Sequence, residues 1–187
     1  MEARVIIVMG PKHSGKSQCV RALGKIAGLE TADLDELIES RTGKSVRALF
    51  LEAPHLFRKA EADALEALLE QFKPLCQSKQ KQTCLVIAAG GGIVDNTEAL
   101  ALIRTLKEAS FVYLHVSAET AWQRIVNAAK ASGLPPFLNT ENPKETHTTL
   151  HERRAGQYKA IAHLAINAEN KSPEEIADEI FNFYRKA

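Results

Sequence analysis

The run Gly10-Pro11-Lys12-His13-Ser14-Gly15-Lys16-Ser17 constrains this chain more than any other feature. It fits G-x-x-x-x-G-K-[ST] and directly follows the apolar segment Val5-Ile6-Ile7-Val8. The motif needs a strand before it and a helix after it. The apolar run and the amphipathic pattern of Lys16–Ala27 meet both needs. The glycines let backbone N–H groups turn inward around phosphate oxygens, and the helix N-terminus adds its positive end. Lys16 can reach the β and γ phosphates, and the Ser17 hydroxyl is a ligand for Mg²⁺. The expected nucleotide set is Gly10, His13, Ser14, Gly15, Lys16, Ser17 and Gln18, with Lys16 also catalytic. His13 stands where many such loops carry another glycine, and its side chain is expected to point outward. A second match, Thr42-Gly43-Lys44-Ser45, lacks the earlier glycine and reads as a turn into a helix.

Short apolar runs alternate with longer amphipathic stretches, the pattern of a parallel sheet covered by helices. Strands are expected at 4–9, 30–33, 83–89, 111–116 and 162–166, five in one sheet. Helices are expected at 16–27, 35–41, 45–52, 54–72, 97–107, 118–131 and 148–158, with a last one from Pro173, capped by Ser172, to about Tyr184. Gly133–His147 is polar, holds Pro135, Pro136 and Pro143, and reads as a long loop. Loops of that length are usually lids or disordered. The 187 residues suit one domain, with 33–72 as substrate-binding helices and about 131–147 as a lid.

Composition excludes several classes. Lys plus Arg number 24 and Asp plus Glu 23, which argues against a broad nucleic-acid or anionic membrane surface. No stretch approaches the ~18 apolar residues of a membrane span, and no targeting segment is expected ahead of Val5. A cytoplasmic protein is expected, as a monomer or weak homo-oligomer. Cys19, Cys76 and Cys84 read as reduced structural thiols. His147 and His151 have a metal-compatible spacing without a third ligand motif and read as helix-surface histidines. Trp122 reads as packing.

From Asp33 onward the chain resembles the shikimate kinase family. The residues that carry the resemblance are Asp33-Leu34-Asp35-Glu36-Leu37-Ile38-Glu39, the run from Arg41 to Phe50, Phe57-Arg58-Lys59-Ala60-Glu61, Gly90-Gly91-Gly92 after a strand, and Arg154-Ala155-Gly156-Gln157-Tyr158. They stand in family order across nearly the whole chain. The resemblance implies an α/β fold like the nucleoside monophosphate kinases and transfer of phosphoryl from ATP, with Mg²⁺, to a hydroxyl of shikimate. It places Asp33 near the metal and Asp35 at the accepting hydroxyl as its base. It places Arg58 and Arg154 on the acceptor carboxylate, Gly91 and Gly92 against its ring, and Arg124 and Pro173 beside adenine. The residue chemistry agrees, since two guanidinium forks suit a carboxylate and three glycines let a ligand approach backbone. Taken singly, Asp35 is as readily a helix-dipole partner. Arg58 and Glu61, three apart, are as readily a surface pair.

The resemblance breaks at the lid. Where the family carries R-P-L-L, with an arginine on the transferred phosphate, this chain reads Gly133-Leu134-Pro135-Pro136-Phe137-Leu138. No arginine lies between Arg124 and Arg153. Three readings stay open. Lys130, Lys144 or His147 substitutes for it; the acceptor is another carboxylate-bearing polyol; or the chain is a catalytically weak nucleotide-binding or regulatory homologue.

Overall fold

The computed structural model describes residues 4–77, 84–106 and 109–186. The elements in chain order are β1 (Arg4–Met9), α1 (Lys16–Ala27), β2 (Glu30–Asp33), α2 (Leu34–Thr42), α3 (Val46–Glu52), α4 (Pro54–Gln77), β3 (Cys84–Ala88), α5 (Thr97–Arg104), β4 (Ala109–His115), α6 (Ala118–Ser132), α7 (Pro143–Ile161), β5 (Leu164–Asn167) and α8 (Pro173–Lys186). The five strands form one parallel sheet in the order β2-β3-β1-β4-β5.

β1 lies at the centre, and its side chains alternate between two cores, as the two-residue period of a strand requires. Val5, Ile7 and Met9 face the core built with α2, α4 and α5. Ile6 and Val8 face the core built with α1 and α8. Both sets are buried, which explains why β1 reads as a continuous apolar run rather than an alternating one. Asp33 pairs with Ala88, and Ala88 pairs with Val8. The carboxyl ends of β2, β3 and β1 are therefore level, so the segments that leave them meet at one edge, where open parallel sheets bind ligands.

Local signals set most element ends. Gly28 ends α1 and Gly43 ends α2 in the left-handed conformation, which glycine adopts without steric cost. Ser45 caps α3 by accepting from the Ala48 amide, so Thr42–Ser45 is the expected turn. Ser172 and Glu175 cap α8 reciprocally, a capping box.

The 133–147 loop is shorter than expected. A 3₁₀ turn covers Pro136–Leu138, and α7 begins at Pro143 rather than Thr148. Proline at the first helical position loses no hydrogen bond there and has its φ preset, so Pro143 opens a helix instead of interrupting one. Helix α6 also runs through 131–132, which leaves 133–142 between helices. α4 continues past Phe72 to Gln77, and α5 stops at Arg104. Cys19 is buried and free, with its thiol pushed up to about 12 by burial. The side chains of Cys76 and Cys84 lie outside the described residues. No described helix is long and apolar enough to cross a membrane.

Truncation of the central strand tests this architecture. Ile7, 1% exposed, should cost roughly 2–5 kcal/mol on replacement by alanine, read as a lowered urea midpoint with an unchanged slope.

Candidate active site

The phosphate loop closes tightly on the sheet. Gly10 has φ +152°, and a Cβ there would lie 2.5 Å from the Leu114 carbonyl oxygen. Only glycine fits. His13 has φ +61°, the left-handed region that favours glycine, which explains why glycine is common at that position. The His13 side chain is exposed. Its pKa is lowered to about 4 by partial desolvation and by Lys12, Lys16 and Arg124. Ser14 is buried behind the loop. Lys16 is buried and donates to the carbonyls of Gly10 at 3.1 Å and Pro11 at 2.8 Å. Burial lowers its pKa to about 8 against the attraction of Asp35 and Asp33.

The loop opens onto a cleft of about 710 Å³. Lys12, His13, Gly15, Lys16, Ser17, Gln18, Asp33, Asp35, Gly90, Gly91, Gly92 and Arg154 all line it. The expected set converges there with five exceptions: Gly10 and Ser14 belong to the loop without lining the cleft, and Arg58, Arg124 and Pro173 lie elsewhere. Arg58 is exposed on α4 and does not line the cleft. Arg124 donates to the His13 carbonyl at 3.0 Å and the Glu169 carbonyl at 3.3 Å, tying the phosphate loop to the segment before α8. Pro173 begins α8, also away from the lining.

The two acids separate in role because β2 hands over to α2 between them. Asp33 is the helix N-cap, and its Oδ1 accepts the Asp35 amide at 3.0 Å. Asp35 sits in the first turn, and burial, with Asp33 next in size, raises its pKa. Lys16 and Lys12 oppose that shift.

Glu61 is not the surface partner of Arg58. It is 0% exposed, and its Oε2 accepts Asn96 Nδ2 at 2.8 Å. A Cβ on Gly90 would lie 2.8 Å from Glu61 Oε1 and 3.2 Å from Asp35 Oδ1. The bare glycine thus leaves the space that these two carboxyl groups fill. Burial pushes the Glu61 pKa up to about 7, and Asp35 adds to it.

Arg154 is held by Asp95. Its Nε and Nη2 both reach Asp95 Oδ2, at 2.9 and 2.8 Å, while Arg153 pairs with Oδ1 at 2.8 Å. A Cβ on Gly92 would lie 3.4 Å from Arg154 Nη2. Tyr158 donates to the Gly91 carbonyl at 2.6 Å and approaches the Gly10 carbonyl at 3.3 Å, so α7 braces both glycine loops. Lys12, Arg47, Glu61, Asp95, Asn96 and Tyr158 were not singled out as site residues from sequence. Lys12, Arg47, Glu61 and Tyr158 lie in motifs that could have flagged them, whereas Asp95 and Asn96 lie in none.

His147 and His151 are buried, not on the helix surface. The early start of α7 turns His147 onto Trp122, with ring centroids 5.6 Å apart, and His151 lies behind it, its ring tilted, at 5.5 Å. Desolvation lowers both pKa values. Trp122 packs as expected. Lys144 pairs with Glu119 at 2.8 Å, and none of Lys130, Lys144 and His147 lines the cleft.

Among the described residues no cluster of three His, Cys, Asp or Glu side chains could hold a metal. The donors at hand are the Ser17 hydroxyl and the Asp33 carboxylate. They are hard oxygens of the kind Mg²⁺ takes when phosphates and waters complete its shell, so the residues fit that ion.

A parallel sheet with a phosphate loop after its central strand, facing an acid, a glycine run and a guanidinium, defines a P-loop phosphotransferase that uses ATP. Comparison with known proteins narrows this. The family described as shikimate kinase matches residues 12–185. A shikimate kinase of Marinomonas sp. is 30% identical over 187 residues, covering 100% of this chain and 94% of the relative. One of Thioalkalivibrio sulfidiphilus is 33% identical over 181 residues, covering 96% and 86%. The solved shikimate kinase of Acinetobacter baumannii in complex with shikimate superposes with a TM-score of 0.80 at 26% identity, covering 98% and 94%. The chain belongs to the shikimate kinase family. Its fold is shared further afield by a sugar kinase from Janibacter sp., with a TM-score of 0.62 at 16% identity.

Two titrations follow. With Lys16 near 8 in the free protein, ATP affinity should be level below pH 8 and fall about tenfold per pH unit above it, as read by calorimetry; Lys16→Met should remove both the affinity and the dependence. Glu61 is raised from 4.5 to about 7. Its ionisation therefore costs stability as pH rises from 4.5 to 7, up to about 3 kcal/mol at about 1.4 kcal/mol per unit. Glu61→Gln should gain on the wild type across that window and not below it, measured by denaturant unfolding.

Proposed function

We propose that the chain transfers the γ-phosphoryl group of ATP to a hydroxyl of shikimate. The observation that carries this reading is the convergence of the phosphate loop, Asp35, Gly90–Gly92 and Arg154 on one cleft. The likeness to an enzyme solved with shikimate supports the acceptor.

The chemistry assigns each residue a task. Lys16, released from the Gly10 and Pro11 carbonyls, donates to phosphate oxygens. Ser17 and Asp33 hold Mg²⁺, which when bound neutralises phosphate charge. Asp35 accepts the hydroxyl proton as the acceptor oxygen bonds to the γ-phosphorus. The bond from that phosphorus to the bridging oxygen breaks, and its electron pair leaves with ADP. Burial, with Asp33 next in size, raises the basicity of Asp35, and Lys16 and Lys12 oppose that rise. Arg154 presents its remaining donors to the acceptor carboxylate, in a plane set by Asp95. Arg58 completes the clamp from α4 when the acceptor binds. Arg124 and Pro173 border the adenine side, and residues 133–142 act as the lid within one domain. The proposed partners are ATP, Mg²⁺ and one small acid, with no nucleic acid or membrane. We place the chain in the cytoplasm, as a monomer or weak homo-oligomer.

Shikimate-dependent ADP release tests the reading. It should appear with the acid and be nearly absent with its methyl ester. Asp35→Asn should lower kcat by roughly two or more powers of ten, as loss of a general base does, with ATP affinity little changed. Arg154→Met should raise the acceptor KM by an amount equivalent to ~2–5 kcal/mol and spare that of ATP. No ADP release with any hydroxy acid would leave the nucleotide-binding homologue as the better description.

A further inference from the structure

Residues 133–142 form one wall of the cleft without a single lysine or arginine. Phosphoryl transfer spreads negative charge over the moving group and gains from a guanidinium placed against it. The cations available are those that line the cleft: Lys12, Lys16, Arg47 and Arg154, with His13 held neutral by its depressed pKa.

These cations are not equivalent. Lys16 is buried at the base of the phosphate loop. Arg154 is tied to Asp95, which it shares with Arg153, and is assigned to the acceptor carboxylate. Lys12 rides on the phosphate loop itself. Arg47 alone reaches the cleft from the opposite wall. It belongs to none of the ion pairs found among the described residues. Its Nη1 donates instead to the neutral carbonyl of Leu134 at 2.8 Å, across 87 residues of chain. A Cβ on Gly133 would stand 3.6 Å from its Nη2.

Helix α3 gives that contact a frame. Phe50, one turn after Arg47, meets the edge of Phe137 at 6.4 Å and packs on Phe57 at 6.1 Å. The Arg154 guanidinium lies 5.9 Å from the centre of the Phe137 ring. One face of α3 thus holds the segment at two points, Leu134 and Phe137, and the second point touches the residue assigned to the acceptor.

We propose that Arg47 is a further catalytic residue of the phosphoryl transfer. Docked on the Leu134 carbonyl, it carries an unneutralised guanidinium from α3 to the moving phosphoryl group, in place of any cation from residues 133–142. This rests on the kinase reading above. None of Lys130, Lys144 and His147 lines the cleft, and Lys144 is paired with Glu119. Arginine suits the place because its planar fork can hold a carbonyl with one nitrogen and a phosphate oxygen with another.

The test compares wild type, Arg47→Met and Arg47→Lys in steady-state kinetics with ATP and shikimate. It is joined by calorimetric binding of ADP alone, and of ADP with fluoroaluminate and shikimate as a mimic of the transferring group. Arg47 is exposed, so matched melting temperatures are expected. Arg47→Met should lower kcat on the order of 10²–10³-fold. It should leave the ADP Kd within about threefold and lose the extra affinity that fluoroaluminate confers. Arg47→Lys should recover part of both. An Arg47→Met protein with raised KM, unchanged kcat and intact fluoroaluminate binding would show a mere strap and overturn the proposal. So would a protein indistinguishable from wild type. A wild type that releases no ADP would instead overturn the kinase reading, which separates the two failures.

Discussion

Every functional contact in this protein depends on the closure of the phosphate loop against the sheet. Gly10 passes so near the Leu114 carbonyl that no side chain can stand there, and His13 accepts a left-handed backbone to complete the turn. A strained residue of this kind persists only where its surroundings hold it. Here the Arg124 guanidinium grips the His13 carbonyl and the Lys16 ammonium grips those of Gly10 and Pro11. The loop is therefore shaped before any phosphate arrives, and Lys16 waits beneath it as a partly desolvated cation. What a phosphate gains on binding is a set of donors whose ordering has already been done by the fold.

The side proposed to take the acceptor rests on a different device, buried charge in balance. Glu61 and Asp35 bring two carboxyl groups to the space left by Gly90. Like charges so placed resist joint ionisation. Asn96 ties Glu61 to the turn after the glycine run and, through the Arg58 carbonyl, to α4. Asp95, one residue earlier, fixes Arg154. The turn between Gly92 and α5 thus sets the orientation of groups on both α4 and α7. These contacts join the proposed acceptor wall through Asp95 and Asn96, so a change at either is expected to reach residues on both helices.

The nucleotide half was the more legible in the sequence. Each of its parts announces itself within a few residues: an apolar run, paired glycines, a lysine at a helix start. The ends of α1, the turn at Gly43 and the box at Ser172 follow from the same short-range chemistry. Residues 133–147 were less legible because three prolines read as breakers, whereas Pro143 sits where a helix tolerates it. That shift placed His147 on the helix, and packing beside Trp122 buried it and His151, both expected at the surface. Glu61 was visible as a motif residue, but three residues from Arg58 it looked like half of a surface pair.

By itself, then, the sequence determined the phosphate loop, the five-stranded parallel sheet and the order of acid, glycine run and arginine along the chain. Those depend on local periodicity and on which residues tolerate unusual backbone angles. Tertiary structure alone decided which charges remain free. Asp95 pairs with both Arg153 and Arg154, Glu119 takes Lys144, and Leu134 offers Arg47 only a carbonyl. Whether a cation is spent or available depends on partners that are distant in sequence, brought within a few ångströms by packing, and no local pattern encodes that distance.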